Sequence, residues 1–245
     1  KNNQTEDNLI FQAMNGQNML DKLYALQELS IIESPSQKVK DVFTYALEDD
    51  YWYIQEFAAS NFPIEATDIK TIEKLKSLAQ NSDNSSVRAA SINTLSVLEN
   101  PEFENIYIDR LEDLSYKVNG AALEALMYTS PELALAKAEE WENIESYAVN
   151  DAVGYVYSQE GDKTKSAYYK NAVSTADKIY KKYYSIYHYS IFLGRMDKET
   201  VLDGINFIEN EDSIDCCFDS KFTSKQQLIE LLFSAYNPCK FLLLS

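Results

Sequence analysis

The chain has one histidine, His188, inside the run Tyr184-Ser185-Ile186-Tyr187-His188-Tyr189. Metal catalysis calls for two or three convergent ligands, often as H-E-x-x-H on a helix, and one histidine cannot make that motif. The count alone does not exclude a histidine triad, but no G-x-S-x-G accompanies it. A structural or surface role is therefore expected for His188. Around it stand Tyr180, Tyr183, Tyr184, Tyr187 and Tyr189, beside Lys178, Lys181 and Lys182. Such a mixture could stack the bases of an RNA strand. Positions 180, 184 and 187 share a helix face, so packing is the preferred reading. Glu139-Glu140-Trp141-Glu142 reads as a solvated helix face with one buried tryptophan, without the loop that a divalent cation wants. Cys216, Cys217 and Cys239 are odd in number, two are adjacent, and no C-x-x-C occurs. No disulfide framework is expected, and a Cys217–Cys239 link would be transient at most.

The balance of charge narrows the partners. With 22 basic and 39 acidic residues, net −17, the chain lacks the basic footprint of a nucleic-acid binder. The acidity reads as a solubility device. A 45% hydrophobic share argues against disorder, and 6 glycines and 5 prolines favour helices over a turn-rich β fold. No apolar run approaches the roughly 20 residues of a membrane span, and Phe241-Leu242-Leu243-Leu244 is far shorter. Lys1-Asn2-Asn3-Gln4 is polar, unlike a signal peptide, and without a start Met it suggests a processed chain or a fragment. Neither nucleic acid nor membrane is expected as a partner, and the compartment stays open.

The elements that must position these residues show in a periodicity. Ala25, Ala58, Ser91, Ala122 and Val153 recur at intervals of 33, 33, 31 and 31. Four residues after each stands a large apolar side chain: Leu29, Phe62, Leu95, Leu126 and Tyr157. Four before stand Asp21, Ile54, Val87, Val118 and Val149. Spacing of i, i+4 and i+8 puts all three columns on one helix face. Self-similarity at this period means stacked units, each completing a core that none closes alone. Pro35, Pro63, Pro101 and Pro131, with Gly161 in the fifth unit, mark bends between the two helices of a unit. Second helices follow, with stripes such as Val39/Val42/Phe43/Ala46 and Ile72/Leu75/Leu78/Ala79. Asp50, Asp83, Ser115 and Ser146 are the expected N-caps of first helices. Residues 183–196 and 198–210 read as one further pair. The fold class is therefore all-α: an α-α superhelix, a HEAT/armadillo-like solenoid of five to six helix pairs, over residues 1–212. Residues 213–245 are expected to form a capping helix, over Thr223 to Tyr236, or a poorly ordered tail.

A further column lies two residues before the apolar one: Trp52, Ser85, Tyr116 and Tyr147. With Tyr51 it gives a candidate docking edge of Tyr51, Trp52, Tyr116 and Tyr147 along the starts of first helices. Packing between repeats is the competing reading.

At these residues the chain resembles a family. Asp49-Asp50-Tyr51-Trp52-Tyr53-Ile54-Gln55 is similar to D-x-x-W-x-I-R, and Asn84-Ser85-Ser86-Val87-Arg88-Ala89-Ala90 to N-S-x-V-R-x-A. Asp113 to Leu126 resembles D-x-S-Y-x-V-x-x-A-A-L-x-A-L, and Asp21-Lys22-Leu23-Tyr24-Ala25-Leu26 resembles D-R-x-x-A-L. In this order, over about residues 9–212, they resemble the C-terminal HEAT-like region of bacterial zinc aminopeptidases of the aminopeptidase N family. Gln55 and Lys22 depart from that pattern, each replacing an arginine. The family's H-E-x-x-H and G-x-M-E-N signatures are absent, so no catalytic residue carries over. The resemblance implies a non-catalytic domain that packs on a peptidase domain of the same polypeptide and helps enclose its substrate chamber. It implies no enzyme within this chain and no cofactor, with zinc only in the missing peptidase domain. The alternative is an autonomous HEAT-repeat scaffold or adaptor for a protein ligand.

Overall fold

Helices begin where a side chain relieves their free backbone donors and run where one stripe is apolar. In a computed structural model, which describes residues 5–63 and 68–211, Ser36 accepts the Val39 N–H and starts α3 (Gln37–Ala46). That helix buries Val39, Val42, Phe43 and Ala46, an i, i+3, i+4, i+7 stripe. Asp68 likewise accepts the Thr71 N–H to start α5 (Ile69–Asn81), and Asp197 accepts the Thr200 N–H to start α13 (Lys198–Asn210). Asn100 and Pro101 open a 3-10 turn that leads into α7 (Glu104–Arg110). Asp162 opens another, before α11 (Ser166–Thr175).

The column residues lie on the helices between. These are α2 (Met19–Ser30), α4 (Trp52–Ser60), α6 (Ser85–Ser96), α8 (Tyr116–Leu126) and α10 (Tyr147–Glu160), and α12 (Ile179–Leu193) follows beyond the last column residue. α1 (Glu6–Asn15) and α9 (Pro131–Trp141) complete thirteen α-helices, with no strand among the described residues. Ala25, Ala58, Ser91, Ala122 and Val153 are all fully buried, and Leu29, Phe62, Leu95, Leu126 and Tyr157 are buried behind them. The fold is thus all-α and HEAT-like, with successive helix pairs as the periodicity predicts. Among the described residues no helix is long and apolar enough to cross a membrane.

Two features differ from expectation. Among chain neighbours, α1 packs on α2, α5 on α6, α7 on α8, α9 on α10 and α11 on α12, across the short turns 16–18, 82–84, 111–115, 142–146 and 176–178 and not across the proline bends. The proline bends therefore join one pair to the next instead of dividing a pair. Asp50 and Asp83 are not caps either, since α4 and α6 take Tyr51 and Asn84 at that position. Ser115 and Ser146 do hold the cap position but give no side-chain cap bond. At two of these starts, before α4 and α8, an aspartate two residues earlier works instead. Asp49 accepts the Tyr51 N–H and Asp113 the Ser115 N–H.

The chain divides into two compact units at Ser130/Pro131. The expected tail helix and the three cysteines lie outside the described residues.

Candidate functional site

In the first unit a polar residue stands three positions before each small column residue and fastens the turns. Lys22 pairs with Asp49, whose side chain is nearly inaccessible. Gln55 donates to the Asp49 carbonyl. Arg88 makes a two-pronged contact with Asp113 at 2.9 and 2.7 Å and donates to the Ser82 carbonyl at 2.7 Å. Asn119 donates to the carbonyls of Arg110, Leu111 and Asp113. Burial alone would raise the Asp113 carboxyl, but hydrogen bonds from Arg88 and the Ser115 N–H outweigh it and hold it below the ordinary aspartate value. Bonding to Asp49, opposed by partial burial, holds the Lys22 ammonium above its ordinary value.

Above this frame lie three residues of the candidate docking edge. Lys117 donates to Ser86 at 2.8 Å and to Glu56 at 3.0 Å, so the starts of α4, α6 and α8 stand side by side. There Tyr51, Trp52 and Tyr116 are 45%, 48% and 55% exposed. The Trp52 ring meets Tyr53 edge-on, and Lys22 lies over the Tyr51 ring. Leu114, fully exposed, adds an apolar side chain that sequence reasoning passed over. Its signal was a leucine between Asp113 and Ser115, in a turn where no core position falls. Tyr147 belongs to the second unit, half-buried, its ring edge-on to Tyr180 at 5.2 Å.

The second unit holds a groove of about 510 Å³, lined from α10, α11, α12 and the turn before α10. His188 lines it, 8% exposed, with Nε2 3.2 Å from Asp151 Oδ1. Nδ1 is buried without a hydrogen-bond partner. Gly154 makes room for the imidazole: a Cβ there would come within 3.3 Å of His188 Cδ2. Glycine inside a helix costs about 1 kcal/mol relative to alanine, so the seat is built at some expense. Behind it a tyrosine core closes the unit. The Tyr169 hydroxyl donates to the Gly154 carbonyl at 2.6 Å, its ring stacks on Tyr189, and the Tyr157 hydroxyl donates to Glu142. Burial pushes the Tyr169 hydroxyl well above the ordinary tyrosine range, and burial with the Glu142 carboxylate does the same at Tyr157.

The expected structural or surface role of His188 is partly met: it is buried, yet it lines an open groove. Asp151 was not singled out from the sequence, because it stands 37 residues from its partner. A glycine inside the α10 pattern, Gly154, was the available signal. Among the described residues no cluster of three or more His, Cys, Asp or Glu could hold a metal ion.

Neither a protein-family model nor a curated protein matches the sequence. Among solved structures, the chain is similar to one in the complex of CpcE and CpcF of phycocyanin lyase from Nostoc sp. PCC7120. Identity is 14% and the TM-score 0.62, over 95% of each chain. At that identity the likeness shows the fold alone. Human deoxyhypusine hydroxylase, from a complex with glycerol, aligns at 13% identity and a TM-score of 0.40, over 95% of this chain and 96% of that one, too distant to carry weight.

These findings overturn the resemblance to aminopeptidase N. The motifs that suggested it are fastenings of the helical stack: an aspartate under a cation at the turns before α4 and α8, and small residues where helices touch. They serve the stacking of helices, so they carry no information about a peptidase. The phycocyanin lyase chain is matched over nearly its whole length, so the same helical array occurs there without a peptidase domain. The expectation that this is no enzyme, only part of a zinc aminopeptidase, falls with it. It rested on missing zinc-peptidase signatures, whereas a chain of this fold belongs to a phycocyanin lyase complex. The HEAT-repeat scaffold fits the findings better than the peptidase domain does, and a peptidase domain as partner has no support.

Proposed function

We propose that the chain is a HEAT-type scaffold that binds a protein partner along the edge where α4, α6 and α8 begin. The observation that carries this is the exposure of Tyr51, Trp52 and Tyr116 on a frame that is already closed beneath them. Ile54, Val87 and Val118 fill the core at these helix starts, so the stack does not need the three rings. Tryptophan and tyrosine concentrate binding energy at protein interfaces, since they bury a large rigid area. Exposed Asp50 and Glu112 flank them, which favours a basic partner surface. The chain of similar fold comes from a complex of two proteins, CpcE and CpcF, which agrees with a fold used for holding another protein.

The test is cross-linked affinity purification from the source cell with wild-type protein and the Trp52→Ala/Tyr116→Ala variant. Both should give the same helical circular dichroism and urea midpoint. A protein recovered with the wild type and reduced at least about tenfold with the variant supports the edge. Equal recovery from both moves binding elsewhere, and no partner with either removes the reading.

A further inference from the structure

We propose that the groove of the second unit binds an organic cation, an alkylammonium or guanidinium group, with Asp151 as its principal counter-charge. The inference is independent of the docking edge, which lies in the other unit. Four carboxylates line the groove: Glu142, Glu145, Asp151 and Asp177. Lys181 is the one lysine or arginine among the lining residues, and it is committed to Asp177 at 2.8 Å. Glu142 is engaged by the Tyr157 hydroxyl at 2.8 Å and by Lys165 at 3.7 Å. Asp151 is held differently. Among the described residues its one hydrogen-bond partner is the imidazole of His188, at 3.2 Å, the Tyr168 hydroxyl lies within its electrostatic reach, and about a quarter of its side chain is open to solvent.

The imidazole is itself the second sign of a built site. It is nine-tenths buried, its Nδ1 is unpartnered, and it rests where Gly154 leaves space for it. An unmet buried polar atom is costly, and here it belongs to the one ring that holds a groove carboxylate. Here the ring fixes the position of one carboxylate oxygen and leaves the rest of Asp151 to a ligand. The volume, about 510 Å³, lies within the range of small-molecule pockets. Tyr147 and Tyr168 also line it, and aromatic rings add a weaker attraction for organic cations to that of the carboxylates. A bare divalent ion is a poorer fit, since it wants six or more oxygens converging at about 2.3 Å, and these carboxylates make no such cluster. An anion would meet the lining charge with the wrong sign.

Because His188 is the only histidine, its ring signals report on the groove without assignment. The full chain, with its histidine carbon-13 labelled, is titrated at fixed pH and ionic strength. The probes are spermidine, a blocked Gly-Arg-Gly peptide, and the same peptide with neutral citrulline. The expected result is a saturable shift of the ring signals with at least one cation and none with the citrulline peptide. Asp151→Asn should weaken that binding about tenfold, the loss of one charge-assisted hydrogen bond. Glu145→Gln, at an exposed residue that leaves the core untouched, should weaken it about threefold and keeps the test valid if Asp151→Asn disturbs folding. A response to the peptide alone names a protein side chain as the source, and a response to spermidine alone names a free polyamine. Ring signals that stay still, drift without saturating, or respond equally in wild type and both variants would overturn the proposal.

Discussion

In the first unit the turn before α8 is fastened by Asp113, which takes two bonds from Arg88 and caps the Ser115 N–H. In the second unit the turn before α10 has no such aspartate. Glu142 stands there, held by the Tyr157 hydroxyl and by Lys165, whose ammonium also lies over the Tyr157 ring. Asn150 occupies the position of Arg88 and Asn119, and its carbonyl accepts from the Tyr168 hydroxyl. One repeat pattern is thus closed by buried charge in one region and by tyrosine in the other. Charge fastening is short and leaves aromatics over to be displayed, as at Tyr51, Trp52 and Tyr116. Tyrosine fastening spends the aromatics inside and leaves carboxylates such as Asp151 facing a groove.

The largest test of this contrast is Asp113→Ala. It strands Arg88 in a partly buried site and uncaps Ser115, and should cost about 3 kcal/mol by urea unfolding. A cost below about 1 kcal/mol would mean that the charge is incidental. The same residue predicts acid sensitivity. Its carboxyl is depressed in the folded chain, so its contribution is complete above the unfolded aspartate value of about 4 and is lost as pH falls through the folded value. Asp113→Asn should therefore flatten the stability profile below about pH 4, as read by urea midpoints across that range.

Next in size is Ala122→Leu. Ala122 is fully buried on α8, where α6 and α8 pack closely, and added bulk should cost about 1–3 kcal/mol. An unchanged urea midpoint would mean that the column does not face the stack. In the second unit the matching test is Tyr169→Phe, which deletes the 2.6 Å bond to the Gly154 carbonyl. It should cost about 1 kcal/mol.

Much of this frame was legible in the sequence because it depends on period alone. Ala25, Ala58, Ser91, Ala122 and Val153 could be named as core by counting, since burial on a helix face repeats with the helix. The edge residues Trp52 and Tyr116 followed from the same count. The phase of the pairs did not follow. Prolines mark where helices start, but the period alone does not say which chain neighbour a helix packs on. α1 was missed because it precedes the first full period and buries only Leu9 and Ala13. The groove was illegible for a different reason. Asp151 and His188 meet across two helices, 37 residues apart, and no local spacing encodes that meeting. The mistaken family came from the same source as the correct fold: repeat fastenings are dictated by stacking, so they identify the architecture and nothing more specific.

The smallest effect gives the sharpest comparison between the regions, because it sets one buried tyrosine against another. Tyr107 of α7 is as fully buried as Tyr169, and its hydroxyl has no hydrogen-bond partner. Burial alone pushes that hydroxyl well above the ordinary tyrosine range. The ring is needed to fill space, but the oxygen has given up water for nothing in return. Removing it with Tyr107→Phe keeps the ring volume and deletes only the stranded atom. A paired hydroxyl should cost about 1 kcal/mol to remove, whereas an unpaired one should be neutral or stabilise by up to about 1 kcal/mol. Tyr107→Phe and Tyr169→Phe should therefore move the urea midpoint in opposite directions, or Tyr107→Phe should not move it at all. If both variants lost the same stability, an internal water on Tyr107 would be doing for the first unit what the Gly154 carbonyl does for the second, and the two regions would be closed more alike than the fastening of their turns implies.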